Sequence, residues 1–246
     1  MRMTPETHSP LSDAHVVLVG GSSGIGLAAA AAVKARGAEV TLIGRTRTKL
    51  EAAAQSIGGA HTAVADVLDR RSVEAAFRTM TRVDHLVFTA GSFVTGKLAE
   101  ADPEQLLVTV RERIAGPLYA IKAALPVMPP TASIVLTSGS LADRPTGEGT
   151  SVIAAAVCGV EALARDLALE LKPIRVNVIS PGLVDTPLLD VLGPEMRAAF
   201  LAQMADNLPG GRIGRPEEIG EAIAFLLGNG FANAEVLHLD GAGRFV

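Results

Sequence analysis

The chain has almost nothing with which to cross-link itself. Its 246 residues include one cysteine, Cys158, which excludes an internal disulfide framework and suits a reducing compartment. No basic run occurs and the formal net charge is −4, which argues against a nucleic-acid surface. No stretch is apolar enough for long enough to span a bilayer, because charges interrupt the alanine-rich runs. Residues 1–11 are polar around Pro5 and Pro10 and lack the apolar centre of a signal peptide. They read as a flexible arm, and a cytoplasmic location is expected. The five histidines (His8, His15, His61, His85 and His238) are scattered, none pairs at ligand spacing, and no metal site is expected. What remains is a chain of 48% hydrophobic content, enough for one large core over 12–246.

That core is organised around Val16-Val17-Leu18-Val19-Gly20-Gly21-Ser22-Ser23-Gly24-Ile25-Gly26. A short apolar run stops at glycines, and an alanine-rich stretch follows. The pattern predicts a buried parallel strand, a tight turn and a helix. The glycines let the backbone pass close to a ligand. The first amides of the helix are unpaired and sit at its positive end, which makes an anion site, most often for a dinucleotide pyrophosphate. A tight turn with no ligand would also use glycine, but strand before and helix after favour phosphate binding.

A second strand, Glu39 to Ile43, ends at Gly44-Arg45-Thr46-Arg47. An acidic residue here would bind the free 2′-hydroxyl of NAD. Instead the end is neutral and followed by two guanidinium groups, which suit a 2′-phosphate, so NADP(H) is expected over NAD(H). The alternative for Arg45 and Arg47 is a solvated helix start. Ala63 to Val67 reads as a third strand. Asp66 there either accepts from an adenine amino group or caps the next helix, expected over about 69–80. Asp84 to Gly91 repeats the strand-then-glycine pattern, with Thr89, Ala90 and Gly91 at its end. Three such units indicate alternating β and α elements with a parallel sheet.

Taken together, these motifs resemble the short-chain dehydrogenase/reductase family. The carrying residues are Gly20 to Gly26, Asp66-Val67, Ala90-Gly91, Arg175-Val176-Asn177 with Pro181-Gly182, and Leu239-Asp240-Gly241. The resemblance implies a doubly wound Rossmann fold, three-layer α/β/α with a seven-stranded parallel sheet. It also implies NAD(P) binding, hydride transfer to a carbonyl or from an alcohol, and often a homodimer or homotetramer. Pro181, Gly182, Val184 and Thr186 would meet the nicotinamide carboxamide and phosphates. Residues 184–212 would form a substrate lid, whose apolar side chains imply an apolar small-molecule substrate. An amphipathic helical pair packed on the core is the alternative.

Chemistry is where the chain departs from the resemblance. The family uses a tyrosine, a lysine four residues later, a serine and an asparagine. A phenol titrates near ~10 and needs nearby positive charge to act at neutral pH. Ser138 takes the serine position in the simplest alignment, with Ser140 as second candidate, and Arg113 falls on the asparagine. Counting from Gly159 puts the tyrosine and lysine on Ile153 and Val157; counting from Ser138 puts them on Ser151 and Ala155. No tyrosine or lysine occurs between Lys122 and Lys172. Tyr119, the one tyrosine, lies on the previous helix and is expected in core or interface. Cys158 is expected to face core or partner. Ser151, Asp143, Arg144 and Glu148 are placed near the cleft mouth. The reading placed first is an NADP(H)-dependent oxidoreductase with a non-standard proton donor. A catalytically silent dinucleotide-binding regulator or scaffold subunit, or a lyase or isomerase on the same scaffold, is the alternative.

Overall fold

The computed structural model describes residues 11–246, so most of the expected arm lies outside the described residues. Leu11, placed in that arm by sequence, is fully buried in the core. Seven strands form one parallel sheet: β1 (His15–Val19), β2 (Glu39–Gly44), β3 (His61–Val64), β4 (His85–Phe88), β5 (Ser133–Thr137), β6 (Arg175–Pro181) and β7 (Val236–Leu239). Their order is β3-β2-β1-β4-β5-β6-β7, and every neighbouring pair is parallel. The inner strands are buried on both faces, which is why they read as unbroken apolar runs rather than alternating ones.

Helices cover both faces. Against one lie α1 (Gly24–Lys34), α2 (Arg47–Ser56) and α8 (Pro216–Gly228), packed on Leu18, Val40 and Leu42. Against the other lie α3 (Arg70–Phe77), α5 (Gly116–Ala124) and α6 (Ser151–Glu170), packed on Val17, Leu86, Ile134 and Val176. The chain is thus the expected three-layer, doubly wound fold. Tyr119 packs against this second core.

Some boundaries differ from the sequence reading. The third strand starts two residues earlier and ends three earlier, because its pairing with β2 runs from Thr41↔His61 to Gly44↔Val64 and then stops. The following helix is capped by Asp69, whose carboxylate accepts from Arg71 N, so Asp66 is not its cap. Asp66 instead accepts from Leu68 N at 3.0 Å. Cys158 is exposed in the single chain. It sits one position past Val157 and off the buried stripe of Ile153, Ala156, Val157, Val160 and Ala164.

One polar residue at the amino end of the sheet makes stability depend on pH. His85 begins β4 and is buried, with Nδ1 2.7 Å from the Ser133 hydroxyl. Burial pushes its pKa down from 6.5 to about 4, partly opposed by Asp84. The unfolded chain therefore binds a proton between those values that the folded chain refuses. Stability contributed by neutral His85 is full above pH 6.5 and is lost as pH falls toward 4, by up to about 3 kcal/mol. Urea unfolding at pH 7 and pH 5 checks this: the wild-type chain loses more stability on acidification than His85→Gln does.

Candidate active site

The glycine loop is shaped by contact rather than by composition alone. At Gly20, φ is +92°, and a Cβ would meet Ala90 N at 2.6 Å. At Gly26 a Cβ would meet the Gly20 carbonyl oxygen at 2.2 Å. The Thr89 hydroxyl lies under both, 3.2 Å from the Val19 carbonyl and 3.3 Å from that of Gly20. Ser23 is the N-cap of α1 and makes no side-chain capping bond, so its hydroxyl leaves the first amides open to a ligand. Side chains at these positions would fill the space that the backbone cradle leaves.

This cradle opens on a cavity of about 390 Å³ at the carboxyl ends of β1, β2 and β4. The strand order reverses between β1 and β4, the switch point where ligands bind in open α/β sheets. Gly20, Ser22, Ser23, Gly24, Ile25 and Gly26 line one wall. Arg45 lines it beyond β2, Val67 beyond β3, Thr89, Ala90 and Gly91 beyond β4, and Thr186 from the far side. Thr46 and Arg47 begin α2 outside the cavity, and Asp66 stands between the lining residues Ala65 and Val67 without lining it itself. Pro181, Gly182 and Val184 form the root of the expected lid instead: Val184 bridges to Gly214, and Gly182 backs on Asp240. The segment expected as a lid holds a 3-10 turn over Pro187–Leu192 followed by α7 (Pro194–Asn207). Arg197 ties the two together, donating to Asp185 at 2.6 Å and facing Asp190 at 3.6 Å.

Several lining residues escaped the sequence reading. Lys49 joins Arg45 at the β2 end. It stands two positions past Arg47 in the first turn of α2, and helical phase was the signal that could have found it. Ala65, Ser92 and Glu112 also line the cavity. Glu112 is buried and its Oε2 accepts from the Ser92 amide at 2.7 Å and the Ser92 hydroxyl at 2.5 Å.

Glu112 and Arg113 belong to a π-turn, Arg111–Ala115, between α4 (Pro103–Val110) and α5. Such a turn holds an extra residue and shifts the helix phase, and it recurs at functional sites. Here it sends Glu112 to Ser92, Arg113 to Gly91 and Ile114 to Gly159 on α6. Arg113 Nη1 comes so near that a Cβ on Gly91 would lie 1.9 Å from it. Burial lowers the Arg113 pKa, and Glu112 opposes that shift.

The serines are disposed differently. Ser138 faces α6, donating to Glu161 Oε1 at 2.8 Å, with the Val157 carbonyl at 3.2 Å, and it does not line the cavity. Ser140 opens a 3-10 turn, Ser140–Ala142, also outside the cavity wall. The polar residues placed near the mouth tie down the β5–α6 loop. Asp143 lies 3.0 Å from His238 Nε2, Arg144 donates to the Gly243 carbonyl at 2.8 Å, and Glu148 faces Lys97 at 3.6 Å. On α6, Ile153 and Val157 are buried, whereas Ser151 and Ala155 are exposed.

A family model described as enoyl-(acyl carrier protein) reductase matches residues 19–242. The chain is 33% identical to the short-chain dehydrogenase/reductase malC of Malbranchea aurantiaca, over 92% of this chain and 93% of that one. The chain belongs to the short-chain dehydrogenase/reductase family. A human 3-oxoacyl-[acyl-carrier-protein] reductase is 31% identical, over 92% of this chain and 96% of its own. Among solved structures, that of the MalC reductase/Diels-Alderase superposes with a TM-score of 0.88 at 32% identity, covering 97% of this chain and 98% of that one. A small-chain dehydrogenase in complex with NADPH superposes with a TM-score of 0.82 at 30% identity, covering 96% and 100%.

Members of the short-chain dehydrogenase/reductase family bind a nicotinamide dinucleotide and act as oxidoreductases on small molecules. The cradle at Gly20 and Gly26, which a Cβ would fill, fits the pyrophosphate of such a group. Arg45 and Lys49 fit a further phosphate at the β2 end. Among the described residues, no helix is long and apolar enough to cross a membrane.

Proposed function

We propose that this chain is an NADP(H)-dependent oxidoreductase acting on a small apolar carbonyl or alcohol, with proton handling that does not use a phenol. The observation that carries the reading is the cavity's two-part wall: a glycine cradle at β1 and two cations, Arg45 and Lys49, at β2. The dinucleotide, when bound, supplies or accepts the hydride. The chain's own part is to hold its phosphates at the cradle and at Arg45, and to cover the substrate with the lid of 184–212. Arg113, beside Gly91, is the group assigned to the substrate's reacting end. Ser138 is assigned a positioning part, since its hydrogen bond to Glu161 joins β5 to α6.

Exposed Leu107, Leu118 and Leu169 on the α4–α6 side, and Phe225 and Phe231 around β7, support a homodimer or homotetramer. The single cysteine supports a reducing, cytoplasmic setting. A catalytically silent dinucleotide-binding subunit is the second reading, favoured by α6 alone, where Ile153 and Val157 offer no proton.

The test uses NADPH deuterated at C4 with a panel of apolar aldehydes and ketones. Deuterium in an alcohol product, read by mass spectrometry, supports the oxidoreductase. Tight NADPH binding with no deuterium transferred to any carbonyl supports the silent reading.

A further inference from the structure

Arg113 is a half-buried charge whose inner nitrogen has no partner. Its Nε is shielded from solvent and makes no hydrogen bond. Among the described residues, no hydrogen bond or ion pair engages the rest of its guanidinium. The neighbouring carboxylate, Glu112, spends Oε2 on the amide and hydroxyl of Ser92. Taking a guanidinium out of water is costly unless an acceptor or anion meets it. A second orphan lies four residues earlier on the same helix: the Thr109 hydroxyl, on a side chain with no exposure at all.

The place of this charge is as telling as its lack of a partner. The π-turn aims Arg113 at Gly91, which lines the cavity at the carboxyl end of β4. Arg45 and Lys49 stand beyond β2, on the other side of β1. Cations therefore stand at the β2 end of the cavity and, packed against Gly91 without lining the cavity itself, at its β4 end. One set suits the phosphates of the cofactor, and Arg113 is left for something else.

We propose that Arg113 forms an oxyanion subsite, and that the substrate is an apolar molecule with an anionic oxygen, a carboxylate or an enolate, beside its reacting carbon. This rests on the reading of the cavity as a dinucleotide and substrate cleft. A planar guanidinium matches a carboxylate edge to edge, and in a site shielded from water it also favours negative charge that develops on a reacting oxygen. Such a group partly offsets the absence of a proton donor at Ile153 and Val157, because the charge is held until water delivers the proton.

Hexanoate and hexanamide test the subsite without a known substrate, since they share shape and differ in charge. Each is titrated calorimetrically into the protein alone and into the protein saturated with NADPH. Hexanoate is expected to bind at least about tenfold more tightly than hexanamide, the effect of one charge-assisted hydrogen-bonded pair. Arg113→Met is expected to abolish the preference and Arg113→Lys to keep part of it, with NADPH affinity unchanged within about threefold. Arg113→Gln repeats the comparison should the methionine variant fail to fold. Equal binding of the two probes by the wild-type chain, no measurable hexanoate binding, or a preference that survives in Arg113→Met overturns the proposal. Failure of NADPH to bind would instead remove the cofactor reading, and the cofactor-free titrations would still decide the role of Arg113.

Discussion

Gly26→Ala is expected to abolish cofactor binding and to destabilise the fold together. The added Cβ would lie 2.2 Å from the Gly20 carbonyl oxygen and 2.5 Å from the Thr89 hydroxyl. The first of these is backbone, so relief requires the whole loop to move away from α1. Overpacking of this kind costs about 3 kcal/mol, the upper part of the usual range. Because the loop that moves is the phosphate cradle, dinucleotide affinity should fall by at least about 100-fold, the equivalent of losing two charge-assisted hydrogen bonds. Gly58→Ala is the control. Gly58 also has a positive φ, +78°, but nothing lies within 4 Å of its would-be Cβ. It should cost about 1 kcal/mol of backbone strain and leave NADPH affinity untouched. Urea unfolding and calorimetry on both variants separate the two effects. A Gly26→Ala protein that binds NADPH like the wild type would show that the cradle does not hold the pyrophosphate.

Replacing the β2-end cations should separate the two cofactors. Arg45 and Lys49 line the cavity with no ion pair between them and any carboxylate among the described residues. A charge-assisted hydrogen bond to a phosphate contributes about 1.5–3 kcal/mol. Arg45→Ala should thus weaken NADPH about tenfold, and the double variant with Lys49→Ala about 100-fold, while NADH changes little. Both side chains are exposed, so added salt should narrow the gap. Parallel losses for NADPH and NADH would mean that these cations do not read the 2′-phosphate. Binding isotherms for each cofactor at low and high salt distinguish the outcomes.

How far the sequence reached depends on the range of the forces involved. The stretch from Val16 to Gly26 was legible because strand, turn and helix are local, and their residue types leave few alternatives. The same holds for the β4 end at Thr89-Ala90-Gly91, whereas Pro181 and Gly182, expected to meet the cofactor, stand outside the cavity wall. The β3 boundary was not legible, because it is set by pairing with β2 rather than by composition. The direction of Ser138 was missed for a related reason. Just past β5 it follows Ile134 and Leu136 onto the face that packs on α6, and Glu161 there supplies the acceptor. Arg113 was found as a position in an alignment, but not as a geometry. Its approach to Gly91 depends on a π-turn, and no local pattern in Arg111-Glu112-Arg113-Ile114-Ala115 announces one. Glu112 was missed altogether, since its partner Ser92 lies 20 residues away in sequence.

The same geometry explains why a fold with a familiar cofactor cradle carries an unfamiliar interior. The cradle depends on backbone shape, which glycine preserves at Gly20 and Gly26. The catalytic pair that the resemblance implies depends on side chains, and on α6 its candidate positions are Ile153 and Val157, apolar and buried, or Ser151 and Ala155, exposed. Cofactor binding and proton transfer are thus independent properties of the scaffold, and only the first is built from the parts the sequence most plainly displays.

The most direct test of the account is calorimetric titration of the wild-type, cofactor-free protein with NADPH and then with NADH. The account predicts one site per chain, with NADPH bound at least about tenfold more tightly than NADH. Equal affinities, or a preference for NADH, would contradict the role given to Arg45 and Lys49. Binding of neither would contradict the dinucleotide cleft itself.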